Sequence, residues 1–157
     1  MKTKSTRRST VPNSNELVHR HGVFYAHQDE SAPRHEVALE ALATASAGSD
    51  GRLFTSEYVY DEAVTLVRQR RGRFNDAKRT GDRIRGIDPF PSAFEMLFVT
   101  ESVFEETQEI FERYDDQSLS FTDASTIALI ERSDVDAVLS FDDGFDGIVE
   151  RVDPASV

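Results

Sequence analysis

Two acidic strings in the last third of the sequence hold residues suited to chemistry. Ser118–Ser125 (SLSFTDAS) contains Asp123, and Leu139–Phe145 (LSFDDGF) contains Asp142, 19 residues later. A helical apolar pattern and then a β-like run separate them, so each carboxylate sits where an element begins or ends and can face a shared cleft. Carboxylates gathered that way hold a hard divalent cation, and such a cation activates water against phosphate esters. The pattern therefore points to a metal-dependent nuclease. Glu62 is a third candidate. Helical spacing puts it with Val59 and Leu66 on nearly one face, where a charge is costly unless it meets a cation or a donor. Each acid also has a simpler reading. Asp123 suits the first turn of a helix after Ser120 and Thr122. Asp142 begins Asp-Asp-Gly144, which is strong turn chemistry. Glu62 at the edge of its stripe reaches solvent.

The elements that must position these acids alternate along the chain. Short apolar runs at 22–26, 52–55, 94–100, 137–141 and 148–152 read as strands. Helices are expected over 33–47, with Pro33 in the first turn, and over 56–71, with Ser56 as N-cap and Gly72 as stop. Further helices are expected over 74–85, 101–114 and 122–132, and the turn-rich Gly86–Pro91 closes the third of the five. This order argues one α/β domain over 22–157, a three-layer α/β/α sandwich with a mainly parallel central sheet. Ligands of such sheets bind outside the carboxyl ends of the strands. Residues 1–21 are polar, basic and unpatterned, and are expected to be disordered.

The chain has 157 residues, enough for one domain with a real core, and no cysteine, which excludes disulfides and thiolate metal sites. His19, His21, His27 and His35 lack zinc-site spacing. No apolar run is long enough to span a bilayer, and no secretory signal opens the chain, so a cytoplasmic protein is expected. The net charge is −11, and residues 1–21 are themselves basic, so the rest of the chain is more acidic still. Beyond residue 21, Lys78 is the only lysine. An acidic, lysine-poor surface resembles proteins of halophilic archaea, where excess carboxylate maintains solubility. In molar salt, charge repulsion is screened within about 3 Å, so the acidity does not exclude a nucleic-acid substrate.

Together the motifs resemble the PIN-domain family, of the type found in VapC toxins of toxin–antitoxin pairs. Thr55–Glu62 (TSEYVYDE) is similar to the family's second acidic motif, with Glu62 at the acidic position. Leu119–Ala124 is similar to the third, with Asp123 in place. Leu139–Phe145 is similar to the fourth, with Asp142 in place, Ser140 as the accompanying hydroxyl and Asp146 adding charge nearby. The resemblance implies that these acids bind Mg²⁺ or Mn²⁺ and that the protein hydrolyses RNA phosphodiester bonds. It also implies a cognate antitoxin and a homodimer. The alternative is a catalytically impaired PIN-like protein that binds RNA or an antitoxin.

The first family motif departs from the pattern. PIN domains open with a strand ending in Asp-Thr or Asp-Ser. Gly22–Ala26 matches the segment after that pair, yet Arg20 and His21 precede it. Asp29 lies too far beyond the strand end to substitute. Two explanations stand. His19-Arg20-His21 is encodable as CAC-CGA-CAC, which read one base later gives Thr-Asp-Thr, so a frameshift or misplaced start upstream of Gly22 accounts for the loss. Otherwise the N-terminus is divergent and catalysis weakened. Finally, Arg68, Arg70, Arg71, Arg73, Lys78 and Arg79, together with Arg83 and Arg85, form a basic cluster in an acidic chain. It is suited to RNA phosphates or to an acidic partner, or is a solvated hairpin balanced by Asp76 and Asp82.

Overall fold

A computed structural model describes residues 17–19, 33–47 and 52–157. The helices begin and end where local chemistry dictates. After strand β1 (Leu17–His19) and helix α1 (His35–Ala47), strand β2 (Leu53–Ser56) runs directly into α2 (Glu57–Arg71). Ser56 ends the strand and caps the helix, its Oγ accepting from the Val59 amide at 3.2 Å. Gly72 stops α2 with a left-handed φ of 69°, which costs a glycine nothing. Helix α3 (Phe74–Arg85) ends the same way at Gly86. Strand β3 (Glu95–Leu97) leads to α4 (Glu101–Arg113), capped by Thr100. Helix α5 (Phe121–Ser133) precedes β4 (Ala137–Leu139), a 3-10 turn over Asp143–Phe145, and β5 (Arg151–Val152).

The five strands form one sheet in the order β3-β2-β1-β4-β5, with every pair parallel. The chain starts at the centre, builds outward through β2 and β3, then returns to the other side through β4 and β5. Successive side chains of a strand face opposite ways, and the core obeys that rule. Phe54 and Val138 pack under α4 and α5 with Val103, Ile110, Ile127, Ile130 and Phe145. Leu139 packs instead with Ala38, Ala41 and Leu42 of α1. A third cluster joins α2 to α3 through Val59, Ala63 and Ile84. The result is the expected α/β sandwich, with helices on both faces of a parallel sheet.

Two expectations are corrected. Within the segment expected to be disordered, Leu17–His19 form β1, the central strand, in register with Leu53 and Phe54 on one side and with Ala137–Leu139 on the other. Three residues are too few to show a period, so only the partners' open edges reveal this strand. The strand expected over 94–100 is trimmed to Glu95–Leu97. The Val99 amide leaves the ladder to donate to Glu57 Oε1 at 2.6 Å, and Thr100 becomes a cap. The expected strand over 22–26, together with Arg20, His21 and Asp29, lies outside the described residues.

Candidate metal and RNA site

Parallel sheets that reverse direction leave a crevice at the carboxyl ends of the strands flanking the reversal, here β1 and β4. The candidate acids sit on the elements around that edge. Asp142 comes three residues after the end of β4. Buried Ser140 fixes its backbone, since Ser140 Oγ accepts from the Asp142 amide at 3.0 Å. The Asp142 carboxylate caps the 3-10 turn, Oδ1 accepting from the Gly144 amide at 2.9 Å.

Asp123 lies in the first turn of α5 and is only 3% exposed. It forms a reciprocal capping box with Ser120: its Oδ2 accepts from the Ser120 amide at 2.8 Å, and Ser120 Oγ accepts from its amide at 3.1 Å. The cap and turn roles open to Asp123 and Asp142 from sequence are thus both present. They occupy one oxygen of each carboxylate and fix its direction. Oδ1 of Asp123 and Oε2 of Glu62 are buried and accept no hydrogen bond, although both residues make other contacts.

The structure brings the three motifs onto adjoining elements. A Cβ at Gly144 would stand 3.1 Å from Asp142 Oδ1 and 3.6 Å from Leu119 Cδ2, so the two acidic strings meet there. Helix α2 contacts α5, and the Tyr58 ring lies 6.3 Å from that of Phe121. Glu62 is one turn beyond Tyr58 on the same face of α2, and Asp123 is two residues beyond Phe121. Among the described residues, however, no three acids or histidines converge closely enough to form a metal-binding group.

Asp146 is placed differently. Arg151 holds it in a fork, Nε to Oδ1 at 2.5 Å and Nη2 to Oδ2 at 3.1 Å. These hydrogen bonds hold the Asp146 carboxyl below its ordinary pKa and raise that of Arg151. Both oxygens of Asp146 therefore belong to an ion pair.

The basic cluster is also sorted by the fold. Arg71 pairs with Asp76 and Lys78 with Asp82, while Arg68 donates to the Gly72 carbonyl. Arg79 and Arg83 both lie over the Phe90 ring, their guanidinium carbons 5.5 and 4.9 Å from its centroid. Sequence reasoning missed Phe90. The available signal was an arginine pair at i,i+4 with an aromatic in the closing turn.

A family model for the PIN domain matches residues 22–150. The chain belongs to the PIN-domain family. That match starts at Gly22, after the strand that opens the sheet. Two solved structures share the fold of this PIN domain. The Mycobacterium tuberculosis toxin VapC20, which cleaves the sarcin–ricin loop, superposes with a TM-score of 0.72 at 23% identity, covering 85% of this chain and 97% of that one. FitAcB from Neisseria gonorrhoeae gives 0.63 at 13% identity, covering 90% and 99%. Comparison with curated proteins found no match. No helix among the described residues of this PIN domain is long and apolar enough to cross a membrane.

Proposed function

We propose that this PIN domain is a VapC-like toxin, a metal-dependent ribonuclease that hydrolyses RNA phosphodiester bonds in the cytoplasm, with Glu62, Asp123 and Asp142 as its acidic residues. The observation that carries this reading is the PIN match over residues 22–150, which spans all three acids on adjoining elements. The donor set suits a hard cation, being carboxylates with the Ser140 hydroxyl beside them. Glu62, Asp123 and Asp142 would hold Mg²⁺ or Mn²⁺. Such an ion, when bound, lowers the pKa of a water and offsets charge on the phosphate. The chain's own part is orientation. The capping box locks Asp123, the Gly144 amide locks Asp142, and Ser140 supports the backbone between β4 and the turn. Asp146 contributes through Arg151, as the brace of the loop. The basic face of α2 and α3 from Arg68 to Arg79 supplies phosphate contacts. A cognate antitoxin is the partner that likeness to VapC20 and FitAcB supports, and this reading adds a second copy of the chain as a further partner.

Asp123→Asn tests the assignment. Asn keeps an oxygen to accept from the Ser120 amide, so the fold persists while the charge is lost. Cleavage of a labelled RNA with Mn²⁺ present should fall at least about a hundredfold, by analogy with loss of a stabilising group in other active sites. An unchanged rate removes Asp123 from the site.

A second reading rests on Arg20. It stands where the family's first acid is expected, and no three acids converge among the described residues. The chain is then an impaired PIN domain that binds RNA or an antitoxin without cutting. Arg20→Asp separates the two: restored Mn²⁺-dependent cleavage identifies a damaged nuclease, and persistent inactivity with intact RNA binding identifies a binding module.

A further inference from the structure

Carboxylates gathered at one edge of a chain with a net charge of −11 repel the phosphate backbone of an RNA strand. The basic hairpin is built on α2 and α3, away from β4 in the sequence. Helix α1 brings a cation to the residues around Asp142. Strands β1 and β2 are parallel neighbours with α1 between them in the chain, so α1 starts at the carboxyl edge of the sheet and runs back toward the amino edge. Arg34 stands immediately before the first residue of α1, and its carbonyl accepts from the Ala38 amide at 2.9 Å. Its guanidinium carbon lies over the Phe141 ring, 4.8 Å from the centroid. Phe141 directly precedes Asp142.

Phe141 is a fixed platform. On one side Ser140 is tied twice to β5, its amide donating to the Val152 carbonyl at 3.1 Å and its carbonyl accepting from Arg151 Nη1 at 3.0 Å. On the other side the Asp142 amide is held by Ser140 Oγ. The ring itself packs with Leu139 and with Ala38, Ala41 and Leu42 of α1. The backbone that aims Asp142 therefore also sets the ring, and the ring sets where Arg34 rests. Arg34 and Asp142 are both exposed. Among the described residues Arg34 has no carboxylate partner, whereas Arg52, Arg71, Arg132 and Arg151 are each paired with one. An aromatic face attracts a guanidinium without neutralising it, so the planar fork of N–H donors stays available to an anion.

We propose that Arg34, mounted on Phe141, binds a backbone phosphate of the RNA strand beside Asp142, a role that rests on the reading of this protein as an RNA-acting PIN domain. Its charge offsets the repulsion between the acidic edge and the strand, and the ring holds that charge in place before the strand arrives.

Fluorescence anisotropy with a labelled single-stranded oligoribonucleotide, in EDTA and over a KCl series, tests this on the full chain. Arg34→Ala should weaken binding about tenfold, as expected for one hydrogen-bonded contact between charged groups. It should also reduce the slope of log affinity against log salt by about 0.7, the value for one lost phosphate contact on a single strand. Arg34→Lys keeps the charge and should keep the slope. Phe141→Leu keeps an apolar contact with α1 but removes the ring face, and should weaken binding about two- to fivefold, the worth of an exposed cation–π contact. Arg113→Ala, which removes a charge from α4, should leave slope and affinity unchanged. Wild-type slope and affinity in Arg34→Ala would overturn the proposal and leave the RNA reading standing; a lowered Tm in that same variant would make Arg34 a brace for Phe141. Wild-type affinity in Phe141→Leu would overturn the part given to the ring. A wild-type protein without salt-dependent RNA affinity would overturn both the proposal and the RNA reading. Binding of poly-glutamate in preference to RNA, lost in Arg34→Ala, would assign the residue to an acidic protein partner and overturn the proposal.

Discussion

Asp146 and Asp123 show how one residue type takes two roles in one fold. Asp123 is buried and bonded to amides of its own helix turn, and so keeps a carboxylate of fixed direction. Asp146 is gripped on both oxygens by Arg151, whose Nη1 also donates to the Ser140 carbonyl at 3.0 Å. Arg151 thus ties the loop after β4 to β5, behind the residues that carry Asp142. Because the folded pKa of Asp146 lies below its ordinary value of 3.8, the pair stabilises the fold above that pH. The contribution is lost as pH falls through the lower, folded value. Its side chain is half exposed, so solvent limits the gain to about 1 kcal/mol or less. Asp146→Asn should therefore lower the Tm modestly at about pH 7. The gap from wild type should close on acidification below the ordinary carboxylate range, as the wild-type carboxyl takes up its proton. Thermal melts at several pH values check this, and a gap that widens in acid would contradict it.

At the scale of elements, the turn after α3 is the most constrained junction. Gly86 has a φ of 65°, and a Cβ there would fall 2.5 Å from the Ser92 Cα, a backbone atom that cannot swing aside. Gly86→Ala should destabilise the domain by about 2 kcal/mol or more, through left-handed strain and the clash together. Chemical denaturation checks the figure, and Gly72→Ala, with no neighbour within 4 Å, isolates the strain alone. Junctions of this kind were legible in the sequence: Ser56, Gly72, Gly86 and Ser120 each mark an element boundary by a chemistry that acts within four residues. So were the helices, whose apolar stripes run for three turns or more. The central strand was not legible, because Leu17–His19 owe their conformation to β2 and β4 rather than to any local pattern. For the same reason the pairing of Arg151 with Asp146 was invisible, and so was the stacking of Arg79 and Arg83 on Phe90. The carboxylates were found by type and position. Which of them are engaged elsewhere is a property of the folded chain.

The whole molecule carries a net charge of −11 with a dense group of cations on one hairpin. Mutual repulsion among the acids opposes compaction, and salt screens it, since the screening length falls from about 10 Å at 0.1 M to about 3 Å at 1 M. The Tm should therefore rise by several degrees, roughly, between 0.1 and 2 M KCl, as differential scanning fluorimetry would record. A Tm that is flat or falls with salt would mean that local ion pairs such as Arg132–Glu106 and Arg52–Glu95 outweigh the global repulsion. On the proposed function, affinity for RNA should move the opposite way, because salt competes with phosphate contacts.

The position of β1 also sets when this protein can come into being on the ribosome. Its three residues are made first, yet they pair with Leu53–Phe54 and with Ala137–Leu139. Synthesis runs at about 5–20 residues per second, so β1 waits several seconds for its last neighbour. Until β4 is made, β1 is left at the edge of the sheet with one neighbour, and Asp142 has not yet been added. A nascent chain therefore carries Glu62 and Asp123 before Asp142. The geometry of the sheet therefore delays completion of the fold until translation is nearly finished.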